Sequence, residues 1–487
     1  MHYLDTRGTS KNITSTMAIL KGISPNGGLF VPENIPKVDI SFKSISSYNN
    51  IAHLILSQYL KDFTEQELKT AIEKAYSSSY DRKNFDTPKI APLVNFDNLS
   101  FLELYHGKTL SFKDMALSIL PHLLSVSQSK LGDKKHKVIL TATSGDTGKA
   151  ALESFKNIKD TTVIVFYPEN GISPLQKQTM VTQDGNNVHV YGVLGNFDDA
   201  QRSVKKILSN KALELQINQN GFAFSSANSI NIGRLLPQIV YYFYAYAQLV
   251  NNGLLVGELV NFIVPTGNFG NILAGFYAKK MGLPINKLVC ATNKNNVLYD
   301  FFKDGIFNPN RGFFTTISPA MDINIPSNFE RLLFHLTGSP SETNKYFTQM
   351  ENHGYFNYKI KATDFVSFTA TEEETKKAIK SVYDKYNYVI DPHTAVGYSA
   401  YEKFKKDKPT VIMSTASPYK FTKTVMDTLF PNQVNLNDFD QIVKLSTLLK
   451  EEIPYQISDL EKKPIIHTQV IKPEQAENVV MECIGFK

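Results

Sequence analysis

The sequence predicts an α/β fold in which parallel sheets are covered by helices on both faces, and two observations predict it. From Lys137 onward the chain repeatedly runs through a short β-branched stretch, a turn rich in Gly, Asn, Ser or Pro, and a segment of helical period. The strand-like stretches are apolar almost throughout. A sheet face open to water would impose polar alternation, so helices are expected on both sides.

The first units are Val138–Thr143 ahead of a helix over Lys149–Phe155, Thr162–Pro168 ahead of a helix from near Pro174, and Asn187–Val193 ahead of a helix over Asp198–Leu208. The pattern resumes at Asn261–Pro265, Lys287–Thr292 and Thr410–Thr415. Residues 1–95 carry mixed short elements and a helical AHLILSQYL stretch, and read as a separate N-terminal mixed α/β domain. Two further ranges are expected, 96–260 and 261–487. A chain of 487 residues is too long for one ordinary core, which agrees with such a division.

Hydrophobic residues make up 42% and charged residues 20%, the balance of a water-soluble globular protein. The formal charge of +6 is spread without a block of five like charges, which argues against a nucleic-acid partner. The basic run Lys130–Lys137 reads as a solvated surface turn. Cys290 and Cys483 cannot build a disulfide framework and fit a reducing compartment. No zinc motif occurs, the first residues lack the apolar core of a signal peptide, and no run of 18 apolar residues follows. A cytoplasmic protein without membrane partners is expected.

Three turns carry chemistry. In VPTGNFGNILAG, residues Gly267, Asn268, Phe269, Gly270 and Asn271 follow a buried strand and open a helix, where unpaired N–H groups and the positive dipole end favour an anion such as a phosphate. A tight turn with no ligand is the plain alternative. In TATSGDTGKAA, Ser144, Gly145, Asp146, Thr147 and Gly148 form a second such turn. A nucleotide-triphosphate loop would need glycine at Thr143 and a hydroxyl at Ala150, so the turn suits a carboxylate instead. In HGKTLSFKDMAL, Lys113 opens a helix. Solvent exposure is the ordinary state of a lysine, but a cation is unfavourable at a positive helix end, and a Schiff-base role would fit. The stretch Asn295–Asn328, rich in Asn, Pro, Gly and Phe, reads either as a closing lid or as an irregular excursion.

Taken in order, these motifs together with GGLFVPENIP, ISPLQKQ, SSANSINIGRLLPQ, ATNKNNVLYDF, SPAMDINIPSNFERL, DPHTAVGY and STASPYKF resemble the threonine synthase family. The resemblance is to its longer class, within the fold-type II (tryptophan synthase beta-like) pyridoxal-phosphate enzymes, and it runs nearly end to end. It implies pyridoxal 5'-phosphate as cofactor, joined to Lys113 as an imine, with its phosphate on Gly267, Asn268, Phe269, Gly270 and Asn271 and its ring nitrogen beside Thr415. It implies a substrate carboxylate on Ser144, Asp146 and Thr147, and a substrate phosphate on Asn228, Ser229 and Arg234, where an arginine fork meets oxygens in pairs. The range 96–260 would then hold the lysine and the carboxylate turn, and 261–487 the cofactor-phosphate turn, the possible lid and the C-terminal segment.

The implied reaction is that of a carbon–oxygen lyase acting on phosphate. O-phospho-L-homoserine and water give L-threonine and phosphate, the last step of threonine biosynthesis. Competing readings are a threonine synthase-like phospholyase releasing 2-oxobutyrate, another fold-type II lyase, and a silent anion-binding protein. Two positions depart from the family pattern: Lys108 stands where proline is usual and Asn271 where aspartate is usual. The resemblance leaves monomer or homodimer open.

Overall fold

The computed structural model describes the chain except for residues 43–46, 79–82, 144, 171, 226, 361–363, 406, 434–435 and 487. Its strands, in chain order, are β1 (Tyr3–Asp5), β2 (Phe30–Pro32), β3 (Leu93–Phe96), β4 (Leu99–Glu103), β5 (His136–Ala142), β6 (Thr161–Pro168), β7 (Val188–Val193) and β8 (Phe222–Ser225). They continue with β9 (Val260–Pro265), β10 (Ile285–Thr292), β11 (Ile306–Phe307), β12 (Phe356–Asn357), β13 (Phe365–Thr369), β14 (Thr410–Ser414) and β15 (Val470–Ile471). The expected strands and helices are present, with ends shifted by up to four residues.

The chain divides into two compact units. The first unit is residues 1–116 and 229–434. Its six-stranded sheet has the order β13-β10-β9-β14-β4-β3, parallel except for the antiparallel β3–β4 pair. Strands β9 and β14 are buried along their whole length, as their mostly apolar sequences predict. On one face the helix Pro392–Lys403 packs Ala395, Val396 and Tyr398 against Phe101, Ile263 and Ile412. On the other, Tyr242 of the helix Ile232–Asn251 meets Phe262 edge-on at 5.1 Å. The β1–β2 pair and the helices Ser15–Lys21, Tyr48–Tyr59 and Glu65–Ala75 also belong to this unit.

The second unit is residues 117–228 and 435–487. Its sheet is parallel throughout, in the order β15-β7-β6-β5-β8. Val138, Leu140, Ile164 and Phe166 pack with Ala200, Val204 and Ile207 of the helix Phe197–Ser209 and with Val479 and Val480 of the helix Ala476–Cys483.

This grouping differs from the contiguous ranges 1–95, 96–260 and 261–487. Strand order in an α/β sheet does not follow chain order. Here β4 pairs with β14, and β15 at the far end of the chain completes the sheet begun by β5. The run Lys130–Lys137 is only in part a solvated turn: it closes in β5, where Lys137 is 6% exposed and pairs with Asp133 at 2.6 Å. The stretch Asn295–Asn328 has structure of its own. It contains the helix Val297–Asp304 and β11, and Asp322 accepts from the Thr316 N–H at 2.9 Å and from the amides of Asn293 at 2.8 Å and Asn295 at 3.0 Å.

Candidate active site

Strands β9, β14 and β4 lie side by side and parallel in the first unit, so their C-terminal ends open on the same edge of the sheet. In open α/β sheets that edge is where ligands bind. From it emerge three of the marked segments: the loop carrying Lys113 after β4, Thr415 after β14, and residues 266–271 after β9.

The lysine loop is tightly held. Asp114 accepts from both the N–H and the hydroxyl of Thr109, each at 2.8 Å. Gly107 is required where it stands, since a Cβ there would come within 2.4 Å of the Asp114 side chain. Leu110, buried, sits at a φ of 54°, a conformation that costs a branched side chain of order 1–3 kcal/mol. The surrounding bonds fix it: Leu104 N–H donates to the Ser414 carbonyl at 2.9 Å, Phe112 N–H to Thr415 at 2.8 Å, and Ser417 N–H to Leu110 at 3.1 Å. Lys420 Nζ donates to the Thr109 carbonyl at 2.7 Å. Lys113 follows on this frame, half-buried, with its Nζ 5.4 Å from the Phe112 ring centroid. The helix it precedes, Asp114–Leu117, has only four residues, too short to build much dipole. What distinguishes Lys113 is the frame, and not the helix end that the sequence suggested.

Beside the loop, His106 lies between two carboxylates, with Nδ1 2.6 Å from Asp86 and Nε2 2.8 Å from Glu103. Burial alone would lower its pKa, but the two carboxylates outweigh it and raise it to about 9. Burial would raise Glu103, yet the bonds from His106 and from Tyr388, whose hydroxyl donates at 2.6 Å, hold it below its usual value.

The turn after β9 holds the second strained residue. Phe269 has φ 64° and caps the helix Gly270–Met281. It is buried among Phe302, Phe329 and Phe365, with ring centroids about 6 Å away, and this packing offsets the strain. Bulky residues in left-handed conformation therefore occur in both the lysine loop and this turn. Gly267 has a reason beyond anion wrapping: a Cβ would meet the Ala320 carbonyl oxygen at 2.5 Å. Ala320 in turn donates its N–H to His393 Nε2 at 3.1 Å, which leaves the His393 proton on Nδ1, donated to Asp391 at 2.6 Å. Asn271 is 6% exposed, and Tyr242 Oη lies 2.8 Å from its Oδ1. Its Nδ2 is a buried donor with no hydrogen-bond partner among the described residues. An orphaned donor at the start of a twelve-residue helix fits an anionic group such as a cofactor phosphate.

Arg234 lies in the first turn of the helix Ile232–Asn251 and is 5% exposed, so it is no surface residue. Burial lowers its pKa to about 10, which keeps it charged at neutral pH but poorly solvated. Just before it, Ser229 Oγ lies 3.0 Å from Ser327 Oγ, and the Ser229 carbonyl accepts from Asn328 Nδ2 at 3.1 Å. Ser327 and Asn328 carried no site role in the sequence; their signal was the IPSNFERL motif itself.

In the second unit, the turn after β5 starts the helix Asp146–Phe155, with Asp146 and Thr147 half-buried in its first turn; Ser144 lies outside the described residues. Thr143 Oγ1 accepts from the N–H groups of Gly145 and Gly148, both at 3.0 Å, which explains why threonine stands where a phosphate loop would have glycine. Lys149 is committed to Glu153 at 2.7 Å. Asn228 is exposed and follows β8, the parallel neighbour of β5. The boundary between the units falls between Asn228 and Ser229, so the structure groups Lys113, 267–271, Thr415, Ser229 and Arg234 in the first unit, with Asp146, Thr147 and Asn228 in the second.

Three family profiles match in order: Threonine synthase N terminus over residues 2–76, Pyridoxal-phosphate dependent enzyme over 86–416, and Threonine synthase, C-terminal over 394–481. The threonine synthase of Saccharomyces cerevisiae is 38% identical, covering 92% of this chain and 94% of its own. Threonine synthase-like 1 of Homo sapiens is 37% identical, covering 88% of this chain and 60% of its own. The pyridoxal-phosphate-bound threonine synthase structure from Brucella melitensis gives a TM-score of 0.88 at 32% identity over 99% of both chains. The chain belongs to the threonine synthase family of pyridoxal-phosphate dependent enzymes. Its fold is fold-type II and its cofactor is pyridoxal phosphate. No helix among the described residues is long and apolar enough to cross a membrane.

Proposed function

We propose that the chain converts O-phospho-L-homoserine and water to L-threonine and phosphate. The observation that carries this reading is the shared edge of β4, β14 and β9, from which the lysine loop, Thr415 and the glycine-rich turn all emerge.

On this reading Lys113 holds the cofactor covalently, backbone donors of Gly267 to Asn271 hold its phosphate, and the Thr415 hydroxyl stands at its ring nitrogen. When bound, the cofactor supplies an electron sink for charge developing on the substrate carbons. Asp146, Thr147 and Ser144 receive the substrate carboxylate. Asn228, Ser229 and Arg234 receive its phosphate, and the poorly solvated Arg234 gains most from a dianion. Once released from the cofactor by the incoming substrate amine, the Lys113 amine would take the Cα proton and serve the later proton transfers at Cβ and Cγ; water adds at Cβ after phosphate leaves. A cytoplasmic setting fits the two free cysteines. Monomer and homodimer both suit this chemistry.

The competing outcome is release of 2-oxobutyrate before water attacks. Turnover in ¹⁸O-water separates the two. Threonine should dominate and carry the label in its hydroxyl, and 2-oxobutyrate in excess at saturating substrate would overturn the reading. Borohydride reduction and peptide mapping should place the cofactor on Lys113; a label on Lys108 would reassign the lysine.

A further inference from the structure

Ser327 stands between two turns to which different duties are assigned above. Its hydroxyl donates to Asn268 Oδ1 at 3.2 Å, and its Oγ lies 3.0 Å from Ser229 Oγ. Asn268 belongs to the cofactor-phosphate turn and Ser229 to the substrate-phosphate turn.

The backbone around Ser327 is fixed from several directions. Asn328 N–H donates to the Asn268 carbonyl at 3.0 Å, and Asn328 Nδ2 to the Ser229 carbonyl at 3.1 Å. Arg331, fully buried, donates to Asn328 Oδ1, to the Ile230 carbonyl and, at 2.9 Å, to the Phe30 carbonyl. Asn328, Phe329 and Arg331 are buried, whereas Ser327 and Ser229 are half-buried and Asn268 is exposed. What remains adjustable is the side-chain torsion of each serine.

We propose that Ser327 is a further substrate-phosphate-binding residue, whose hydroxyl turns with that of Ser229 onto a phosphate oxygen. The proposal rests on the reading of the Asn228–Arg234 turn as the phosphate site. Each serine has one proton to donate. Since Ser327 gives its own to Asn268 Oδ1, Ser229 gives its proton to Ser327, and the pair is satisfied without an anion. A phosphate offers both hydroxyls charge-assisted bonds about twice as strong as these neutral ones. The exchange needs only a change of staggered rotamer. Asn268 keeps the Ser327 N–H, 3.5 Å from its Oδ1.

The test is calorimetric titration of cofactor-loaded enzyme with inorganic phosphate. Ser327→Ala should keep the visible cofactor band and bind phosphate about tenfold more weakly, with Ser327→Thr restoring affinity. With phosphohomoserine, KM should rise more than kcat falls. If Ser327→Ala loses its cofactor, Ser327→Cys keeps the shape with a weak donor and should show the same phosphate defect. Parental phosphate affinity in the folded Ala or Cys variant overturns the proposal, as does a parent enzyme that binds no inorganic phosphate. A parent that binds phosphate but does not turn over phosphohomoserine would overturn the proposed reaction, and the titration would still decide Ser327.

Discussion

The N–H of Phe112 meets the carbonyl oxygen of Thr415 at 2.8 Å, so the residue before Lys113 is stapled to the end of β14. Lys113 and Thr415 are thereby placed by one backbone bond, while Asp114 on the other side of the lysine ties the loop back to Thr109. The loop's geometry should therefore depend on the Asp114 carboxylate. Asp114→Asn keeps an acceptor for the Thr109 N–H and can donate to its hydroxyl, but loses the charge that strengthens both bonds, which should cost about 1–3 kcal/mol of stability. Cofactor affinity, followed by visible absorbance, should fall at least about tenfold. A variant with parental melting temperature and cofactor affinity would show that the staple to β14 suffices alone.

Two glycines of the same turn should respond differently. A methyl group at Gly267 points at the Ala320 carbonyl oxygen, 2.5 Å away, and backbone cannot swing aside as a side chain can. At Gly270 the nearest atoms are the Asn328 and Gln238 side-chain amides, at 3.4 and 3.5 Å. Gly267→Ala should lower the stability of the cofactor-free protein by about 1–3 kcal/mol, and Gly270→Ala should leave it within about 0.5 kcal/mol. Melting curves of the two apo variants check this. Equal shifts would remove the close approach of Ala320 as the reason for Gly267.

The strands were legible because burial on both faces leaves a mostly apolar run, as in β9 and β14, where only Asn261, Thr410 and Ser414 are polar. Their partners were not, because no local pattern says that β4 pairs with β14 or that β15 joins β7. The burial of Arg234 could in part have been read: the helix Ile232–Asn251 is apolar apart from one narrow stripe holding Arg234, Gln238 and Gln248, the pattern of a mostly interior helix. The frame around Lys113 could not. A leucine and a phenylalanine at positive φ are ordinary letters in the sequence, and only the tertiary bonds and packing that hold Leu110 and Phe269 reveal the strain.

His106 should make stability depend on alkaline pH. Its pKa is raised from about 6.5 in the unfolded chain to about 9 in the fold. The stabilisation is therefore complete below the unfolded pKa and is lost as pH rises through the folded one. The fold should weaken by up to about 3 kcal/mol between roughly pH 6.5 and 9.5. His106→Gln should be less stable at pH 6.5 and show a flatter profile over that window. Parallel profiles for parent and variant would mean that the Asp86–His106–Glu103 contact carries no net charge linkage.

Arg234 should separate substrate binding from cofactor binding. It lies on the segment that continues from Ser229, whereas the turn proposed for the cofactor phosphate begins at a different strand, β9. Its charge persists at neutral pH although burial brings the pKa down to about 10, so removing it takes away a poorly solvated cation that no neutral side chain replaces. Arg234→Leu puts an apolar group into a site that is 5% exposed, and the fold should tolerate it. The visible cofactor band should stay, while kcat/KM for phosphohomoserine falls by roughly 10² or more, in line with a lost charge-assisted contact of about 3 kcal/mol. Arg234→Lys should fall between parent and Leu, because an ammonium keeps the charge but not the planar fork that meets two oxygens. Absorbance and steady-state kinetics on the same preparations decide the assignment. A bleached Leu variant whose affinity for inorganic phosphate is unchanged would move Arg234 to the cofactor and leave the substrate phosphate to Asn228, Ser229 and Ser327.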